Sequence, residues 1–148
     1  MPSQHNVTFD ALLLCKDAGS ISSSAAAQVS GTDKIIDLGT GRFDGALIVD
    51  VTAVDSTTGD EVCYIECQFS DTANFAAVKE IGSVTKVGGA TGTGKGAVDA
   101  VPQRRELPFC NEFNGVLYRY FRVYTRVAGT SPSVNYVAFI AKGMPTAN

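Results

Sequence analysis

Glu61-Val62-Cys63-Tyr64-Ile65-Glu66-Cys67-Gln68-Phe69-Ser70 has the two-residue period of a β-strand. Cys63, Ile65, Cys67 and Phe69 recur at every second position, with Val62, Tyr64, Glu66, Gln68 and Ser70 between them. Side chains alternate across a strand, so this period assigns one face to a core and the other to solvent or a partner. Just upstream, Asp55-Ser56-Thr57-Thr58-Gly59-Asp60 is turn chemistry, with short polar side chains and a glycine suited to positive φ. Before that turn, Ala46 to Val54 is a strand by its β-branched content. The two strands and their short connection read as a hairpin.

Leu117 to Val127 predicts a second long strand, with Phe121, Val123 and Val127 inward. Ala128 to Ser133 is a loop, and Val134 to Lys142 returns as the last strand. Shorter candidates are Thr8–Leu14, Lys34–Leu38, Ala77–Val84 and Arg105–Phe109, which makes about eight strands in all. Ser22 to Ala27 is the one run that suggests a helix, and it reads equally well as a loop. Short strands with polar turns and no alternating helices imply an all-β, single-domain sandwich or barrel of antiparallel strands. Residues 10–142 form that domain, between an N-terminal arm (1–9) and a C-terminal tail (143–148). Thr85 to Val101 is the one long irregular segment, carrying five glycines.

The 148 residues suit one domain, and 45% hydrophobic with 18% charged residues is an ordinary globular balance. The net charge of −3 and the lack of a lysine or arginine run argue against nucleic acid as a partner. No apolar run approaches the ~20 residues of a transmembrane helix, so no membrane partner is expected. The start, Met1 to Asn6, lacks a basic and apolar leader, so folding in a cytoplasm is expected. There Cys15, Cys63, Cys67 and Cys110 are expected to be reduced and mostly buried.

The chemistry-bearing patterns are weak. Gly89 to Lys95 spells G-x-x-x-x-G-K, but Gly96 stands where a phosphate loop needs Ser or Thr for Mg²⁺, and no helical stripe follows. Cys63 and Cys67 lie about 13 Å apart on an extended strand, too far to share one zinc ion. His5 is the only histidine, so a Ser or Cys nucleophile has no evident base. Paired carboxylates such as Asp60 with Glu61 could serve glycoside hydrolysis only by a geometry that sequence does not give. No catalytic residue, no metal and no cofactor is expected.

Tyr118-Arg119-Tyr120-Phe121-Arg122-Val123-Tyr124-Thr125-Arg126 is the informative stretch. Opposite its core positions, Tyr118, Tyr120, Arg122, Tyr124 and Arg126 line one face. Tyr and Arg combine contact area with hydrogen bonding, and interfaces are enriched in both. A solvated face with Arg–Tyr stacking is the competing reading.

The order of five segments is similar to that of the capsid cement (decoration) proteins of tailed bacteriophages. These are Ile35-Ile36-Asp37-Leu38-Gly39, Ala46 to Val51, Cys67-Gln68-Phe69-Ser70-Asp71 with Phe75, Tyr120 to Val127, and Val137 to Ile140. The resemblance spans Asp10 to Lys142 and departs from the family in the long Thr85–Pro102 loop and the four cysteines. It implies a jelly-roll fold and a homotrimer without catalysis. It also implies docking on the outer surface of an icosahedral head, against the major capsid protein. On that expectation Tyr118, Tyr120, Arg122, Tyr124 and Arg126 contribute to the trimer interface. Pro2, His5, Val7 and Phe9 of the arm, with Lys86 and Lys95 of the loop, are the expected capsid contacts. A carbohydrate-binding β-sandwich is the alternative, weakened because such modules usually present exposed tryptophans and this chain has none. An enzyme of unrecognised type ranks behind both.

Overall fold

A computed structural model of the chain describes residues 11–55, 60–87 and 103–142. A 3-10 turn (Ala11–Leu13) leads into β1 (Leu14–Lys16), β2 (Ser20–Ile21), β3 (Ala25–Ala26), β4 (Gln28–Val29), β5 (Thr32–Asp33) and β6 (Ile36–Asp37). The long strands are β7 (Asp44–Asp55), β8 (Val62–Ser70), β9 (Glu80–Val87) and β10 (Gln103–Cys110). After the short β11 (Glu112–Phe113) and β12 (Val116–Leu117) come β13 (Tyr120–Ala128) and β14 (Ser133–Lys142). Among the described residues there is no α-helix, and no helix is long and apolar enough to cross a membrane.

The protein is an all-β sandwich. One sheet runs β1-β14-β7-β10, with β2 also on β14. The other runs β3-β13-β8-β9, with β6 also on β13. Every pairing is antiparallel. The sheets pack their inner faces together. Leu47, Val49 and Val51 of β7 meet Cys63, Ile65, Cys67 and Phe69 of β8, with Phe121 and Val123 of β13. The alternation read in 61–70 therefore gives the inner face correctly. At one end of the core five rings pack in series: Phe43 stacks on Phe109 and Phe109 on Phe121, while Phe69 meets Phe121 and Phe113 edge to face. Burial of each large apolar side chain is worth about 1.5–3 kcal/mol, so this layer carries much of the stability.

The expected hairpin of 46–54 with 61–70 does not form. β7 lies between β14 and β10, whereas β8 lies between β13 and β9. The chain arches from one sheet to the other, so the two strands face each other across the core instead of lying side by side. Each then gains two ladder neighbours, which an isolated hairpin would not provide. β13 and β14 divide between the sheets in the same way.

Several boundaries also move. Leu117–Val127 is not one strand: Asn114 and Gly115, at φ of 51° and 79°, turn β11 into β12, and β13 begins at Tyr120. Ala77–Val84 begins late, at Glu80, because residues 71–79 form a loop tied down at Ser70 and Thr72. In Thr8–Leu14, residues 11–13 form the 3-10 turn and the strand opens at Leu14. Of Lys34–Leu38 only Ile36–Asp37 pairs, and Ser22–Ala27 supplies the strand β3 rather than a helix. Thr85, Lys86 and Val87 belong to β9 rather than to a loop. The phosphate-loop-like run and both termini lie outside the described residues.

The core also holds polar groups that hydrophobic patterning does not announce. Lys16 is buried, and its ammonium donates to the carbonyls of Asp17, Gly19 and Tyr136 at 2.8–2.9 Å. Three acceptors match its three donors, which is what lets a buried ammonium persist without a carboxylate. Burial lowers its pKa from the ordinary lysine value. Tyr136 and Thr125 share a hydrogen bond across the core, linking β14 to β13. All four cysteines are free; Cys15, Cys63 and Cys67 are buried and Cys110 is half-buried. Burial pushes the Cys67 thiol up to about 12 and raises Cys15 and Cys63 as well.

Candidate functional site

The outward face of β8, β9 and β13 brings together most of the tyrosine–arginine set. Directly paired residues share a face. One row runs Ile81, Gln68, Arg122 and the next Val84, Glu66, Tyr124. The third runs Lys86, Tyr64, Arg126. Ile81 and Val84 are three apart, so a regular strand would send them to opposite faces. A β-bulge removes the conflict, because Gly82 and Ser83 together oppose Cys67. Glycine is needed there: a Cβ on Gly82 would lie 2.9 Å from the Phe69 ring. Ile81 and Val84 remain 46% and 48% exposed.

Glu66 and Gln68 were expected to face solvent or a partner, yet they are 5% and 3% exposed. Long side chains from β13 cover them. Arg126 donates from Nη2 to Glu66 Oε1 at 2.8 Å, and Gln68 donates from Nε2 to the same oxygen at 2.9 Å. Gln68 Oε1 in turn accepts from Arg122 Nε at 2.8 Å. The amide thus joins a carboxylate to a second guanidinium in one chain of hydrogen bonds. Tyr124 lies between the arginines, its ring 5.5 Å from Arg122 and 5.7 Å from Arg126. The bond to Glu66 raises the Arg126 pKa further, so the guanidinium keeps its charge.

The loop 71–79 closes the upper end of this face. Phe75 is buried, and its ring lies 4.4 Å from the Arg122 guanidinium, within cation–π range. It sits at φ 54°, a left-handed conformation unusual for a bulky residue. Ser70, fully buried, anchors the loop by donating to the carbonyl of Ala77.

Of the five residues expected on this face, Tyr120, Arg122, Tyr124 and Arg126 lie there. Tyr118 does not. It precedes β13, its amide donates to Asn111, and its ring packs on Phe113 at the end of the core. The strand starts two residues later than its alternation suggests, so Tyr118 is outside that register. Of the expected capsid contacts, Lys86 is exposed on β9, in the same row as Arg126. Pro2, His5, Val7, Phe9 and Lys95 lie outside the described residues.

Sequence reasoning put Glu66 and Gln68 on an outward face without joining them to the tyrosine–arginine set, and it did not place Phe75, Ile81 or Val84 there. A cue existed for two of them: Glu66 and Gln68 share the outward register of a strand that pairs with an arginine-rich one.

Other parts of the surface carry less. Arg119 grips Asp37 and Arg104 grips Asp50, each through two hydrogen bonds. Arg42 reaches Asp44 and Glu112. The hydrogen bonds from Arg119 and from the Gly39 amide hold the Asp37 carboxyl at about 2. Arginines committed in this way make a poor cradle for phosphate. A cleft of about 410 Å³ lies at Lys16, Ser20, Ile21, Ala25 and Gln28. The donors of Lys16 are already spent on carbonyls, so the cleft presents no free cation from it. Among the described residues, no three His, Cys, Asp or Glu side chains converge as metal ligands. A scan of family models finds no match to this chain, and a search of curated proteins returns no relative.

Proposed function

We propose that this chain is a structural binding protein that associates with copies of itself through the outward face of β8, β9 and β13. The carrying observation is the face itself. Tyr120, Arg122, Tyr124 and Arg126 are held in register over buried Glu66 and Gln68, beside the exposed Ile81 and Val84. Aromatic and arginine anchors next to uncovered apolar side chains are the composition of a protein–protein hot spot. Because neighbouring side chains fix the arginines, less rotamer entropy is lost when a partner arrives.

The sequence resemblance extends this reading to a capsid cement protein: a homotrimer on the outer surface of an icosahedral phage head. Two features support that extension. The two antiparallel sheets, β1-β14-β7-β10 with β2 and β3-β13-β8-β9 with β6, pack face to face, as a double-sheet β fold of that kind requires. A trimer also multiplies modest contacts with a lattice through high effective concentration.

Light scattering on the purified chain tests the first part, with a trimer expected at micromolar concentration. A stable monomer there would remove the self-association reading. Co-sedimentation with empty phage heads tests the second. Binding to a glycan array without binding to heads would favour a carbohydrate module instead.

A further inference from the structure

Arg122 differs from the arginines around it. Arg42, Arg104, Arg119 and Arg126 each reach a carboxylate of this chain. Arg122 reaches none among the described residues; its one hydrogen bond runs from Nε to the Gln68 amide oxygen. A guanidinium is a planar fork of five N–H donors, so the Nη edge of Arg122 is left without an acceptor among the described residues. The group is half-buried, where an unmatched charge is unfavourable.

The surroundings nevertheless hold this guanidinium firmly. Phe75 covers it at 4.4 Å and Tyr124 flanks it at 5.5 Å. Phe75 does so from a left-handed backbone conformation, which persists only where neighbours enforce it. Its amide donates to the Thr72 carbonyl, and the Ala76 amide donates to Thr72 Oγ1 and Asn74 Oδ1. The loop is thus fastened around an aromatic ring placed over one guanidinium.

We infer that Arg122 is the specificity residue of the docking face, and that it receives a carboxylate from a second copy of the chain. This rests on the reading of that face as the self-association surface. Charge complementarity selects the occupant. The chain carries 15 acidic and 12 basic residues, so a second copy brings surplus carboxylates to a guanidinium that meets none among the described residues. The fork geometry of Nη1 and Nη2 suits two parallel hydrogen bonds to a carboxylate, which lysine cannot reproduce. Phe75 and Gln68 are positioning residues: one fixes the plane of the fork and the other its rotation.

Sedimentation equilibrium on the full chain compares wild type with Arg122→Lys, Arg122→Gln, Phe75→Leu and Phe75→Tyr. Arg104→Lys, on the opposite outer face, is the control. Both Arg122 variants are expected to weaken association by at least about tenfold, as loss of a bidentate charged contact does. Their thermal midpoints should stay within a few degrees of wild type. Phe75→Leu should weaken association less and shift the Arg122 Nε–Hε NMR resonance toward that of a free side chain. Phe75→Tyr should restore both, and Arg104→Lys should change neither. If wild type associates and both Arg122 variants associate equally well, the inference fails while the docking face stands. If only Arg122→Gln weakens it, charge alone suffices and the fork is wrong. If wild type stays monomeric, the self-association reading falls, and this inference with it.

Discussion

Ile48 and Gln68 occupy equivalent places in the two sheets. Each lies mid-strand on a central strand, on the side turned away from the core, and each is nearly closed off from solvent. Ile48 is covered by apolar groups: Ala46 and Phe139 form a second small cluster with it, and Leu14 and Ala141 pack alongside. Gln68 is covered by charge and aromatic rings: Arg122, Arg126 and Tyr124 from β13, with Phe75 from the loop. Apolar cover contributes directly to stability, roughly in proportion to area. Charged cover contributes little net stability, because desolvation offsets the Coulomb gain, but it fixes geometry. The first outer face is therefore a stabilising layer and the second a prepared surface.

The largest effect expected from this contrast is on stability. Ile48→Ala should cost about 2–5 kcal/mol in denaturant unfolding and leave self-association of the folded protein unchanged. Loss of association by the folded Ile48→Ala protein would put the interface on the wrong sheet.

Alkaline pH probes the layer between the faces. Burial raises the pKa of Cys15, Cys67 and Tyr136 above their ordinary values, so the folded chain holds these protons where the unfolded chain has lost them. Their stabilisation is full below about pH 9 and is lost as pH rises, through about 12 for Cys67. The loss approaches about 1.4 kcal/mol per pH unit for each thiol. Lys16, with a lowered pKa, acts in the opposite sense as a single group. Net stability should fall in unfolding curves taken above pH 9, and to the same extent in Ile48→Ala and Arg122→Lys. A face variant that altered this slope would show that the layers are coupled.

On the charged face, Arg126→Ala should lower the unfolding midpoint measurably, because it leaves the Glu66 side chain buried with one amide donor. Adding Glu66→Gln should recover most of that loss, since the penalty belongs to the stranded charge rather than to the missing contact. A double variant no more stable than Arg126→Ala would mean that the ladder stabilises the fold as strongly as the apolar cover does.

The smallest effect is expected at the exposed Asp37–Arg119 pair. Asp37→Asn should leave the unfolding midpoint at neutral pH almost unchanged, because exposed ion pairs contribute little. Because the Asp37 pKa is depressed, its contribution is present above the ordinary aspartate range and is lost as pH falls toward 2. Unfolding curves for wild type and Asp37→Asn should therefore converge in acid.

How much of this was legible in the sequence differs from element to element. The inner faces of β8 and β13 follow from residues two apart, and Phe69, Phe121 and Val123 are buried as their alternation requires. The same period placed Tyr120, Arg122, Tyr124 and Arg126 on one face and failed only at Tyr118, where the strand has not yet begun. The hairpin expected from 46–70 failed because a short polar turn permits either a return within one sheet or an arch to the other. Partners more than fifty residues away, β13 and β14, decide between them.

The all-β class and the core-facing sides of β8 and β13 follow from the order of residues alone, because both depend on local alternation. Tertiary structure alone decided which strands pair and what covers each outer face. It set the bulge at Gly82 that turns Ile81 and Val84 to one side, and the seat of Phe75 over Arg122. Those features depend on contacts between segments far apart in the chain. Alternation can say that a side chain leaves the core, but not what meets it there.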